Sequence, residues 1–135
     1  QVNKKVLLLC TDNSALSIFG EAVLNKYLPG VEAYSAGVIN STKINPNVKT
    51  ALVKDGSWSD KFTSKNLNEM MDVEYDLVII LSQKATKASS NFGEKTVVIE
   101  IEYEEPNYEN STNIDRFIKT IKMELIPITR DILEL

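Results

Sequence analysis

The sequence has no histidine and a single cysteine, Cys10, among its 135 residues. The first absence removes imidazole general bases, Ser–His and Cys–His pairs, and the common His-containing zinc sites. The second rules out an intrachain disulfide and any redox relay between two thiols of this chain. A basic surplus is missing too. Fifteen Lys and Arg stand against nineteen Asp and Glu, a net charge of −4, which argues against a nucleic-acid partner. The longest apolar runs, such as Val6–Cys10 and Leu77–Leu81, are five residues long, against the roughly 20 needed to cross a bilayer. No basic-then-apolar leader opens the residues given, so no membrane contact is expected and the cytoplasm is the expected setting. The length suits one domain over residues 1–135.

What is present alternates between two periodicities. Lys4–Cys10 is a short continuous apolar run, as in a parallel strand buried on both faces. Thr11–Ser14 is a cluster of turn and cap residues, and an amphipathic stretch over Ser17–Leu28 follows, stopped by Pro29-Gly30. Val31–Ala36 reads as a second strand, ended by Gly37. Asn45-Pro46 looks like an N-cap with proline at the first helical position. The helix Pro46–Lys54 should bury Val48, Ala51 and Leu52, with Asp55-Gly56 closing it. A shorter helix is expected near Ser64–Met71, with Leu67, Met70 and Met71 turned inward. Tyr75–Leu81 is the strongest strand signal, Gln83–Ala88 should make one or two helical turns, and Val97–Ile101 is a further strand. Thr112–Leu135 has helical spacing throughout, with Pro127 expected to kink or interrupt it. The order predicts an α/β three-layer sandwich, a mostly parallel four-stranded sheet flanked by helices.

Ligands of open α/β sheets bind beyond the carboxyl ends of the strands. The first such end is the junction Cys10, Thr11, Asp12, Asn13, Ser14, Ala15, Leu16, Ser17. A loop feeding a helix N-terminus offers unpaired amides and a positive dipole end, which can lower a cysteine pKa and make it a nucleophile. The alternative is a packing cysteine at a strand end, since free cysteine is among the most buried residue types. The scattered aromatics Tyr34, Trp58, Phe62, Tyr103 and Tyr108 could line a recognition surface but read more readily as core or rim, and Met70-Met71 reads as packing.

Val6–Ser14 followed by Ser17-Ile18-Phe19-Gly20-Glu21-Ala22 resembles the opening of the low-molecular-weight tyrosine phosphatases. It is still more similar to the thioredoxin-coupled arsenate reductases built on the same fold. Tyr34-Ser35-Ala36-Gly37 matches their second strand, Asn45-Pro46 the start of their second helix, and Tyr75–Ile79 their central strand. Glu104-Glu105-Pro106 falls where they carry Asp-Pro. The resemblance implies an oxyanion-binding loop over Cys10–Ser17, with Cys10 as nucleophile, Ser17 as a donor to its thiolate, and Glu105 as general acid. Asn13 and Ser14 would hold the loop, Asn13 being tolerant of positive φ. Asp12, where relatives often have glycine, should strain the backbone and add unwanted negative charge.

The departures fall on the functional positions. The family's arginine, six residues after the cysteine, is Leu16 here, and leucine cannot supply its bidentate bonds to an oxyanion. Loss of one oxyanion donor costs about 3–4 kcal/mol, or on the order of a thousandfold in rate. The reductases' further cysteine positions read Ala15, Ser82 and Ser89, so no intramolecular disulfide cycle is available. Lys84 and Lys87, after a strand end, are the basic residues that could replace the arginine from another direction. Glu100, Glu102, Glu104, Glu105 and Glu109 crowd ten residues without a cation, while the rest of the chain is nearly balanced.

Three functions follow as expectations. The first is a degenerate arsenate reductase/tyrosine phosphatase-like protein that binds an oxyanion, a phosphorylated ligand or a protein. The second is a working enzyme with Cys10 as nucleophile and Glu105 as acid. The third is an interaction module whose Glu100–Glu109 loop meets a basic protein. Neither a cofactor nor a metal is expected.

Overall fold

The structure is a computed structural model that describes residues 3–39 and 43–135. Strand β1 (Lys4–Cys10) lies between β2 (Val31–Gly37) and β3 (Leu77–Ile80), and β4 (Val97–Glu100) extends the far edge. All three pairings are parallel, in the order β2-β1-β3-β4.

Successive side chains of β1 point to opposite faces, and this sorts the core into two layers. Val6, Leu8 and Cys10 pack against α1 (Leu16–Tyr27), α2 (Pro46–Asp55) and α3 (Ser111–Leu133). Leu7 and Leu9 face the other way, toward Leu67, Ala85 and Ala88. These belong to two short 3-10 segments, Leu67–Met70 and Gln83–Asn91. The sheet is thus covered on both faces, by three α-helices on one side and by tighter, shorter turns on the other.

The chain leaves β1 toward β2 and leaves β3 in the opposite direction, toward β4. Adjacent strands whose connections diverge leave a crevice between their carboxyl ends. Here it opens between the loop after Cys10 and the turn at Leu81-Ser82. No helix among the described residues is long and apolar enough to cross a membrane.

Several local expectations are corrected. The helix anticipated over Ser64–Met71 is a single 3-10 turn, Leu67–Met70, tied at its start by the Asn66 amide donating to the Glu69 carboxylate. Met71 is exposed rather than turned inward. The helical turns at Gln83–Ala88 extend to Asn91. Most distinctly, α3 runs from Ser111 to Leu133 without interruption at Pro127. Proline removes the bond to the carbonyl of Met123, and both residues lie on the exposed side of the helix. Ile121, Leu125 and Thr129 hold the buried side of the helix in place around the missing bond.

Candidate oxyanion-loop site

The loop after β1 is tied inward at almost every residue. Cys10 Sγ lies 2.8 Å from Ser17 Oγ and accepts the Asn13 amide at 3.2 Å. Asn13 is fully buried with φ at 58°, the left-handed region that asparagine tolerates. Its side chain donates to Ser17 Oγ at 2.7 Å and accepts the Lys65 amide at 2.7 Å. Because Ser17 Oγ already accepts from Asn13, its own proton is left for the cysteine sulfur. Ser64 Oγ donates to the Asp12 carbonyl, and the Gly37 amide donates to the Lys65 carbonyl. A clamp formed by Ser64-Lys65 and the end of β2 therefore fixes the loop from outside.

Asp12 does not take a strained conformation, since Asn13 and Glu134 are the only positive-φ non-glycine residues described. Its carboxylate instead accepts the Ser14 amide at 3.2 Å and the Ser14 hydroxyl at 2.8 Å. This short local turn removes the need for glycine.

Cys10, Asp12, Leu16 and Glu105 line one cavity of about 360 Å³ at the crevice between β1 and β3, together with Ser82, Tyr103 and Tyr108. The loop after β4 thus brings Glu105 to the same cavity as Cys10, 95 residues away in sequence. The Tyr108 hydroxyl donates to Glu105 at 2.7 Å, and the Tyr108 ring stacks on Phe19. Burial, Glu105 and the nearby Cys10 and Asp12 all hold the Tyr108 hydroxyl far above the usual phenol range, so it remains a donor.

Leu16 is the first residue of α1 and is only 6% exposed, packed into the core side of the cavity. Ala15 caps the helix without a side-chain bond, and the first turn has no acidic residue. Among the described residues, none that lines the cavity is cationic. Lys84 and Lys87 line a separate cavity with Asn66 and Asn91, so they do not take the arginine's place. Burial pushes the Cys10 thiol above its ordinary value; the Ser17 hydroxyl and the Ser17 and Asn13 amides oppose this, while Asp12 adds to it. A neutral thiol is the form this environment favours at neutral pH.

Sequence reasoning reached Cys10, Asn13, Ser17 and Glu105 but missed Tyr103, Tyr108 and the Ser64-Lys65 clamp. The signal for Tyr108 was its position three residues after Glu105, within one turn of chain. Nothing local marks Ser64 or Lys65, whose contacts are with residues about 50 positions earlier.

The low molecular weight phosphotyrosine protein phosphatase profile matches residues 5–125 of the sequence. The chain belongs to that family. A search of curated proteins finds no match. Among solved structures, a thioredoxin-dependent arsenate reductase of Corynebacterium glutamicum is similar, with a TM-score of 0.75 and 21% identity. That comparison covers 98% of this chain and 63% of the reductase, so the chain spans less than two thirds of that relative's length. An arsenate reductase in its phosphate-binding state has a TM-score of 0.81 at 19% identity, covering 96% of this chain and 98% of its own. A low molecular weight protein tyrosine phosphatase from Bacillus subtilis has a TM-score of 0.76 at 19% identity, covering 96% and 97%. At these identities the likeness of the phosphatase and reductase structures establishes the fold.

Proposed function

We propose that this chain is a catalytically impaired member of its family, whose loop serves to bind a ligand or a protein rather than to turn over a phosphate ester. The observation that carries this reading is Leu16, buried at the start of α1 on a cavity wall without a cation. An in-line attack on a phosphoryl group needs positive charge on its equatorial oxygens. Asp12 and Glu105 supply charge of the opposite sign, and the Cys10 thiol is held in its less nucleophilic form. An intramolecular arsenate reduction cycle is excluded by thiol count, because Cys10 has no second thiol to close a disulfide.

A second reading has one observation in its favour. The bonds among Cys10, Asn13 and Ser17 are those that would support a thiolate nucleophile, with Glu105 in the same cavity as the proton donor to a leaving oxygen.

Hydrolysis of p-nitrophenyl phosphate separates the two. The expected result is no turnover by the parent or by Cys10→Ser, and measurable turnover by Leu16→Arg. Parent turnover that disappears in Cys10→Ser would overturn the impaired reading.

A further inference from the structure

We infer that the cavity lined by Lys84 and Lys87 is a second binding site, one that takes a sugar phosphate. This goes beyond the reading above and does not rest on it, because the cavity shares no lining residue with that of Cys10.

Its position follows from the sheet. Val38 and Ile39 come directly after the carboxyl end of β2, and Lys84 and Lys87 lie in the 3-10 segment that follows β3. Asn66 and Leu67, at the start of the other 3-10 segment, complete the wall. The cavity therefore opens at the carboxyl edge of the strands, where open α/β sheets bind ligands. Its volume of about 440 Å³ falls within the range of small-molecule sites.

The first argument is charge. Side chains at i and i+3 of a 3-10 helix eclipse, because the helix has three residues per turn. Gln83–Asn91 keeps this winding for nine residues, an uncommon length, and so stacks Lys84 on Lys87. Their positions are about 6 Å apart along the axis, at a rise of about 2.0 Å per residue. Neither lysine belongs to an ion pair among the described residues. No acidic residue is among those described as lining the cavity. Glu69 is close in sequence to Asn68, but its carboxylate accepts the Asn66 amide and it does not line the cavity. Two stacked ammonium groups repel each other until an anion sits between them. A phosphate monoester carries nearly two negative charges and three acceptor oxygens, enough to bridge both.

The rest of the lining identifies what carries the phosphate. Asn66, Asn68 and Asn91 present carboxamides, which both donate and accept, as sugar hydroxyls do. The Asn66 carboxamide oxygen is buried without a hydrogen-bond partner. An acceptor left in that state is costly, and rotation about χ2, which is broad for asparagine, brings it to a donor in the cavity. A phosphate dianion has no proton to donate, whereas a sugar hydroxyl has one. Val38, Leu67 and the half-exposed Ile39 supply apolar surface for the C–H face of a ring. No aromatic side chain is among the described lining residues, so the cavity lacks the stacking platform that a nucleobase would use.

The test uses the full chain, labelled with ¹⁵N and followed by amide chemical shifts. Glucose 6-phosphate, glucose and inorganic phosphate are titrated separately. Glucose 6-phosphate should shift the amides of Val38, Ile39, Asn68 and residues 84–88. Inorganic phosphate should bind there about tenfold more weakly, and glucose should leave these amides unmoved. Lys84→Ala combined with Lys87→Ala should weaken glucose 6-phosphate by about tenfold or more. Both lysines are exposed, so that variant keeps the fold, which unmoved strand amides would verify. Unmoved amides at about 10 mM glucose 6-phosphate would overturn the inference. Shifts confined to residues 11–17 would overturn it too, since the phosphate would then sit at the Cys10 loop. Equal binding of glucose 6-phosphate and inorganic phosphate, or binding undiminished in the double variant, would also contradict it. None of these outcomes bears on turnover at Cys10, which p-nitrophenyl phosphate decides separately.

Discussion

Gly37 at the end of β2 shows how tightly single residues constrain the loop. A methyl group on its Cα would lie 2.7 Å from the Asp12 carbonyl carbon and 2.9 Å from the Asn13 nitrogen. These are backbone atoms, which cannot swing aside as a side chain can. Gly37→Ala should therefore push the Cys10 loop outward and cost roughly 1–3 kcal/mol, the usual penalty for overpacking. Urea unfolding checks the stability, and the amide shifts of Asp12 and Asn13 check the displacement. An unchanged unfolding midpoint with unmoved shifts would show that the loop yields freely. Buried charge gives a second example at this scale. Burial raises the Glu21 carboxyl above its ordinary value, opposed by Lys65 and by the Ser35 hydroxyl at 2.5 Å. Stability from a raised carboxyl is present below its unfolded pKa and fades as pH climbs through the folded value. Glu21→Gln, which still accepts from Ser35, should thus cost less at pH 7 than Glu21→Ala, which strands the hydroxyl and loses about 1–3 kcal/mol. Equal losses in urea unfolding at pH 7 would refute this account. Legibility at this scale follows from locality. The tolerance of Asn13 for positive φ could be read from the sequence, whereas its side-chain bond to Ser17 was not anticipated. The clamp from Ser64-Lys65 could not be read either, because it joins segments that only the fold brings together.

Among the elements, α3 separates intrinsic propensity from packing most clearly. Its apolar spacing marked the helix, and Pro127 marked a kink or an interruption, of which the interruption did not occur. One missing backbone bond on the solvent side is a bounded cost, whereas Ile114, Phe117, Ile118, Ile121 and Leu125 are all buried on the other side. Pro127→Ala restores the donor to Met123 and should stabilise the protein by about 1–3 kcal/mol, seen as a higher Tm. A lower Tm would mean that the helix needs the proline's bend to follow the core. The 3-10 segments illustrate the converse case. Leu67–Met70 and Gln83–Asn91 carry too few buried side chains for their periodicity to distinguish a tight turn from an α-helix. Their presence was legible, but their type was not.

Across the whole molecule, strand order determines where chemistry can occur, and charge determines which chemistry. The parallel sheet was evident from strands alternating with helices, and its divergence at β1 and β3 opens the crevice that Cys10 and Glu105 share. The sequence also showed that the negative charge is concentrated in Glu100–Glu109. It did not show that tyrosines of the same loop line the cavity of the cysteine, because their contacts are tertiary. The account proposed is of a Cys10 loop held in place by Asn13 and Ser17, on a cavity that no described cation lines. Its most direct test is the pH dependence of Cys10 alkylation by iodoacetamide, measured for the parent chain and for Leu16→Arg. Alkylation proceeds through the thiolate, so a buried thiol lacking a nearby cation should react slowly at pH 7, with its rate still rising above pH 9. Arginine at position 16 should move that rise to lower pH. A parent thiol already fully reactive at pH 7, unaffected by the substitution, would contradict the account.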